Sequence, residues 1–232
     1  MLICKQSPFG GSCVQFLAQI PDLETVLRGR HSLQGRERFQ ESGRKLSQRR
    51  SPGPNEPYPH YELGYTLSLL GKHKEALAEF EATDRLSRGF FLTQTEAYLS
   101  RQIVSGAIDQ VILVKLRWLQ RITDTNAAKG EEPLAISQQV VALAPTCALG
   151  YFHLGKSLLG RDPVAAEQAL HKCIRLGPDD TTAINAKFHL GILKRDAGQE
   201  DVARRIWAGI VEAYPGNPHT KIAEMMSAEK TA

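Results

Sequence analysis

Tyr58, Tyr61, Tyr65 and Ser68 recur at i, i+3, i+7 and i+10, a spacing that sets four hydroxyl-bearing side chains on one helical face. Aromatic rings with polar tips give a large contact area at low entropic cost, which is the chemistry of recognition and not of bond making. Two histidines could do more. His153 and His189 each follow a phenylalanine inside "FHLG", and imidazoles can ligate metal or move a proton. Their identical local setting reads as duplication of a segment. No GxGxxG after a strand, HExxH or GxSxG accompanies them, and no Walker-type phosphate loop is expected. The chain is therefore expected to be a non-enzyme with no cofactor and no metal.

Cysteine and charge usage narrow the class further. Cys4, Cys13, Cys147 and Cys173 show no close CxxC spacing, so neither a zinc site nor a disulfide scaffold is indicated. Cys147 and Cys173 fall at helix-packing positions and are expected to be free thiols. The formal net charge of +4 resides wholly in residues 1–56, which carry nine Lys/Arg against five acids. The arginines there alternate with glutamates and have only Phe39 among them, a pattern that argues against base stacking and for a solvated arm. No apolar run approaches the roughly 20 residues of a membrane span. The start "MLICKQSPFGGSCVQFLAQI" lacks the basic opening and sustained apolar stretch of a secretory signal, so a cytoplasmic protein is expected.

The elements that position the tyrosines become visible through self-similarity. "YELGYTLSLLG" at 61–71, "FHLGKSLLG" at 152–160 and "FHLGILKRDAG" at 188–198 are versions of one segment: an aromatic, Leu-Gly, then a turn glycine. A second helix follows each, marked by Ala76 and Phe80, by Ala166, Leu170 and Cys173, and by Ala203, Trp207 and Ile210. Pro178 and Pro215 close the second and third units. This pattern resembles the tetratricopeptide repeat family, a helix–turn–helix unit of about 34 residues. The resemblance covers about 57–90, 147–178 and 181–215. It implies an all-α, right-handed superhelical solenoid of antiparallel helix pairs, acting by protein–protein interaction. In such a unit Gly64, Gly155 and Gly191 admit the partner helix, Ala76, Ala166 and Ala203 are small for the same reason, and Phe80 and Trp207 fill the gap between repeats.

Spacing shows an irregularity. Gly155 and Gly191 stand one period apart, whereas Gly64 to Gly155 exceeds two periods by enough for one more helix and its loop. Residues 90–145 are expected to supply it as an irregular insertion. Within it "FLTQTEAYLSRQIV", "AIDQVILVKLRWLQRI" and "EPLAISQQVVALAP" read as three helices, the first two parted at Ser105-Gly106. The middle one is apolar on more than one face and should be covered on two sides. The organisation is thus a basic, partly disordered arm with a proline-rich linker at 1–56, repeats over 57–216, and a capping helix at 217–232 in which Ile222, Met225 and Met226 close the core. Residues 21–48 could themselves form a helix.

The resemblance also implies a site. The tyrosine face of each first helix lines the concave surface in that family, and the matching positions are Leu149, Phe152, Lys156 and Leu159, then Asn185, Phe188, Ile192 and Arg195. A partner-binding groove of Tyr58, Tyr61, Tyr65, Ser68, Phe152, Lys156, Phe188 and Arg195 is expected. The alternative is that these rings extend the packing between helices. Lys187 and Lys194 stand where the last repeat's packing face should be apolar, which leaves that helix's rotation open. A clamp for chaperone-tail carboxylates is not expected, since Lys156 is the lone fit among Tyr61, Tyr65, Phe152 and Phe188. The expected partner is a protein or peptide segment, with no membrane. Two other functions stay open: an accessory subunit of a bacterial envelope-type assembly bound through the capping helix, and nucleic-acid association through the arginines of 28–50. "YPGNPHTKIAEMM" resembles the closing repeats of envelope-assembly proteins, while the absence of a signal sequence counts against that role.

Overall fold

The structure, a computed structural model, describes residues 55–122 and 131–228. The expectations for the basic arm, Cys4, Cys13 and Phe39 lie outside the described residues. Among the described residues ten α-helices follow in order: α1 Pro57–Leu69, α2 His73–Leu86, α3 Thr93–Val104, α4 Gln110–Ile122, α5 Glu131–Leu143, α6 Ala148–Leu158, α7 Pro163–Arg175, α8 Asp180–Asp196, α9 Glu200–Ala213 and α10 Lys221–Ala228. No strand occurs among the described residues. Start signals match physical need. Pro57 and Pro163 occupy first turns, where no amide donor is required, and the Asp162 and Asp179 carboxylates accept from the Ala165 and Thr182 amides.

Three helix pairs repeat one interlock. A Cβ on Gly64 of α1 would come within 2.9 Å of Phe80 Cε1 on α2, and one on Gly155 of α6 within 2.7 Å of Leu170 Cγ on α7. On Gly191 of α8 it would overlap the Trp207 indole of α9. Ala76, Ala166 and Ala203 beside these side chains are fully buried. Phe80 and Trp207 therefore fill space within each pair, and each also clusters with a small residue of the next helix along, Ala97 of α3 and Ala223 of α10. Each pair turns at a glycine with φ near 75°: Gly71, Gly160 and Gly198. These interlocks make the described residues an all-α solenoid of tetratricopeptide type.

The apolar core has one main body, spanning α3 to α8 and centred on Leu99, Leu113, Leu116, Leu149 and Leu170. Smaller clusters surround Phe80 and Trp207. Cys147 and Cys173 are buried free thiols, and burial pushes Cys173 up to about 12, so it packs as a small apolar group. Lys187 and Lys194 do not rotate α8 away from its partner. Lys187 Nζ lies 4.9 Å from the Tyr214 ring centre and Lys194 Nζ is 2.6 Å from Glu167 Oε1 on α7, both reaching past the Gly191 interlock.

Between α2 and α6 stand three helices where one repeat would have two. Of these, α3 is unusual: Thr93 through Ser100 are buried in unbroken succession, on every side of the helix. Its partners come from across the array. Thr95 Oγ1 donates to Asp179 Oδ1 (3.1 Å), Gln94 Oε1 accepts from Thr181 Oγ1 (3.0 Å), and Tyr98 Oη accepts from the Ala148 amide (3.0 Å). Helix α3 thus ties the first pair to α6 and α8.

The last helix departs from expectation in one respect. Ala223 and Met226 pack on the Trp207 cluster, whereas Ile222 (49% exposed) and Met225 (68%) point outward. A helix of eight residues can turn only a narrow stripe to the core, and Ala223 takes the close position.

Candidate partner-binding surface

The tyrosine face of α1 divides into an inner and an outer half. Arg117, from α4, lies across the inner half. Its guanidinium carbon is 5.0 Å from the Tyr65 ring centre, and its Nη2 donates to Glu96 Oε2 (2.5 Å) and to Ser68 Oγ (2.8 Å). Ser68 Oγ also sits 3.2 Å from His73 Nδ1, whose Nε2 is 3.2 Å from Gln110 Oε1. Burial pushes the Tyr65 hydroxyl up, with the Arg117 charge working against it. Tyr65 and Ser68 therefore join α1 to α3 and α4, the packing alternative for these two residues.

The outer half is different. Tyr61 stands among Tyr65, Phe80, Phe90 and Phe91, with the Phe91 ring centre 5.6 Å away. Tyr58 is 45% exposed, donates to Glu62 Oε1 (2.6 Å) and meets Phe91 edge-on. Phe91 is 49% exposed with φ of 48°, the left-handed region that costs a bulky residue about 1–2 kcal/mol. The loop is held there from both ends. Thr93 Oγ1 donates to the Phe90 carbonyl (2.5 Å), and His219 Nε2 lies 3.2 and 3.3 Å from the Gly89 and Phe91 carbonyls. Carbonyl oxygens only accept, so His219 carries its proton on Nε2. A backbone conformation that opposes its own residue is retained while the aromatic ring it presents stays in solvent.

Next to this loop a cavity of about 130 Å³ opens, lined by Leu92, Phe152, Lys156, Gln120, His153 and Asn185 together with Thr95, Leu149, Thr181 and Thr182. Phe152 itself is buried, with Lys156 Nζ 5.5 Å from its ring centre. Phe188 is half-buried against Trp207, and Arg195 lies over the same indole beside Asp196. The structure thus brings together Tyr58 and Tyr61, and separately Phe152 and Lys156, with Leu92 between them. Phe188 and Arg195 belong to the α8–α9 pair and do not line this cavity. Sequence reasoning missed Phe90, Phe91, Leu92 and Gln120; the signal was "GFFLT", an apolar triplet straight after a turn glycine. A larger cavity of about 420 Å³ lies between α2, α3 and Asp179-Asp180. Of its lining acids, Glu81 pairs with Arg101 and Asp180 with Arg88 just outside the cavity.

Sequence reasoning also passed over one motif. Residues 150–157, "GYFHLGKS", match the spacing of a phosphate-binding loop, GxxxxGK[ST]. The match carries no such chemistry. The whole run lies inside helix α6, so its amides serve the helix and form no cradle, while Gly150 meets Val140 and Gly155 meets Leu170.

Of the FHLG histidines, His153 is buried and His189 half-buried, and both are neutral bases. Burial, assisted by the nearby Lys156 charge, pulls His153 down to about 3 and His189 down to about 4. Above pH 6.5 both folded and unfolded states hold them neutral. As pH falls from 6.5 towards 4, only the unfolded chain takes up these protons, so stability declines with a slope approaching about 1.4 kcal/mol per pH unit for each imidazole. Urea midpoints measured from pH 7 to pH 4.5 are expected to fall steeply, and a His189→Phe variant to fall less over the same window.

Three glycine interlocks and an aromatic loop beside a polar cavity thus stand on one all-α array of antiparallel helix pairs. No protein-family model matches the sequence, and no curated protein matches it. Similar solved structures include MamA from residue 41 onward of Desulfovibrio magneticus RS-1, 21% identical over 82% of this chain and 94% of that one, with a TM-score of 0.35. A thermophilic TPR protein of Thermus thermophilus is 17% identical over 88% of this chain and 97% of its own, with a TM-score of 0.40. The TPR2AB domain of yeast Sti1 in its pHSP90 complex is 11% identical over 88% and 80%, with a TM-score of 0.41. No helix among the described residues is long and apolar enough to cross a membrane.

Proposed function

We propose that this chain is a protein-interaction scaffold that holds a partner segment along the surface running from Tyr58 and Phe91, over Leu92, to the cavity at Lys156. The observation that carries the reading is Phe91: an exposed ring on a backbone of positive φ, braced by Thr93 and His219. Strain of this kind persists only where surrounding structure enforces it, and it gathers at ligand clamps. Exposed aromatics of this type dominate binding energy when a partner covers them. Compared with the groove expected from sequence, the contact surface keeps Tyr58, Tyr61 and Lys156, uses Phe152 as the cavity wall, and gives Tyr65 and Ser68 to internal packing.

The test is co-purification from the native source. Tyr58→Ala/Phe91→Ala is expected to lose a partner that the wild-type chain retains, at unchanged helicity by circular dichroism, while Val164→Asp, an exposed apolar site on α7, keeps it. Equal partner lists for all three proteins would refute the reading.

A second reading has its own observation. Ile222 and Met225 are exposed on the final helix, which suits an accessory subunit docked through the end of the array. Ile222→Asp/Met225→Asp would then release the partner while Tyr58→Ala/Phe91→Ala would not.

A further inference from the structure

A turn late in the chain is fastened to a loop early in it. Pro218–Thr220 forms a 3-10 turn that runs directly into α10 at Lys221. This turn and Asn217 before it meet the α2–α3 loop at three places. His219 Nε2 shares its proton between the Gly89 and Phe91 carbonyls, 130 and 128 residues away. Asn217 Nδ2 reaches Gln94 Oε1, at the start of α3. Gly89 stands so close that a Cβ there would come within 2.9 Å of Pro218 Cδ and 3.0 Å of Asn217 Oδ1.

The turn is stiff and the loop is strained. Asn217 Oδ1 accepts from the His219 amide, and Thr220 Oγ1 lies 2.8 Å from the Asn217 carbonyl and 3.0 Å from Glu224 Oε1 on α10. Ala223 and Met226 then seat α10 on the Trp207 cluster. Turn and helix form one body. On the loop side, Phe91 holds a φ of 48° against its own sterics while its ring stays exposed. The fastening between them is modest. One N–H is divided between acceptors at 3.2 and 3.3 Å, and the Asn217–Gln94 contact is 3.5 Å long. Arg88, which also ties the loop to Asp180 of α8, is more than half exposed, so solvent screens that pair. Strain on one side and weak bonds on the other leave a fastened and a released loop close in free energy.

We propose that residues 217–220 act as a strap that sets whether Phe91 is presented. Fastened, the strap holds the loop with its ring in solvent. Released, the backbone relaxes to negative φ and the ring leaves its place beside Tyr58 and Tyr61. Because strap and α10 are one body, the seating of α10 on Trp207 is felt at Phe91. The strap stands on these contacts alone; its consequence for binding rests on the scaffold reading.

The experiment places trifluoromethylphenylalanine at position 91 of the full-length chain and records its fluorine NMR spectrum. Amide exchange of the unlabelled protein is followed by mass spectrometry. His219→Phe is expected to shift the resonance or add a second one. It should also speed exchange over 88–93 by about tenfold, with exchange across α6 and α7 unchanged. His219→Gln, which keeps an N–H at similar reach, should stay close to wild type. An unchanged resonance with unchanged exchange in His219→Phe would overturn the strap, as would faster exchange throughout the chain. In co-purification, the partner lost by Tyr58→Ala/Phe91→Ala should also be lost by His219→Phe and kept by His219→Gln. Its retention by both His219 variants would overturn the control of presentation and leave the scaffold reading standing. If Tyr58→Ala/Phe91→Ala loses no partner, the scaffold reading fails and the control of binding with it, while the spectra still decide the strap.

Discussion

Arg117→Met is expected to destabilise the fold by about 3–5 kcal/mol, because it leaves the Glu96 carboxylate buried without its counter-charge. The two side chains are 13% and 3% exposed and meet at 2.5 Å. Arg117 also roofs Tyr65 and donates to Ser68, so its removal strips three contacts that join α1, α3 and α4. Paired burial is a different matter from net stabilisation, since desolvation opposes the attraction. Arg117→Met/Glu96→Leu is therefore expected to recover most of the loss, and a urea double-mutant cycle would show the two changes to be strongly non-additive. Additive losses would mean that the pair does not act as one unit.

Trp207→Ala is expected to lower stability by about 3–5 kcal/mol, the range for emptying a fully buried aromatic site. The indole is 0% exposed, donates to the Phe188 carbonyl (3.2 Å) and fills the space left by Gly191. Its removal opens a void between α8 and α9 and takes away the indole's bond to a carbonyl that helix α8 already uses. Trp207→Leu should be milder, because leucine fills the equivalent place against Gly155 in the α6–α7 pair. Urea unfolding monitored by far-ultraviolet circular dichroism would order the two. A loss under about 1 kcal/mol for the alanine variant would contradict the interlock as a source of stability.

Much of the fold was legible because its signals are steric. A glycine three times in the same context, facing a ring or leucine beside an alanine, has few readings other than close helix approach. The turn glycines were equally local. Helix α3 was a different problem. Thr93, Gln94, Thr95, Glu96 and Ser100 show no apolar period, and their burial depends on Asp179, Thr181 and Asn217, the last of them 123 residues from Gln94. Polar burial of that kind is specified by partners brought together only in the folded chain, so no window of sequence displays it.

The proposed binding surface was legible in part for the same reason. Tyr58 and Tyr61 were placed by helical spacing, and Lys156 by equivalence between repeats. The same spacing could not show that Arg117 would arrive over Tyr65 and Ser68 from α4. It was equally blind to Phe91, an exposed ring at a positive φ whose carbonyl meets His219, far along the chain. Helical periodicity reports faces, and loops that present side chains by strain fall outside it.

The most direct test of the scaffold reading is photocrosslinking in the native source, with benzoylphenylalanine placed at position 91, at position 164 and at position 225 of the full-length chain. A partner captured from position 91 alone, with the crosslinked peptide identified by mass spectrometry, is the expected result. Capture from position 225 or 164 with none from 91 would contradict it and place the working surface at the end of the array or on its flank.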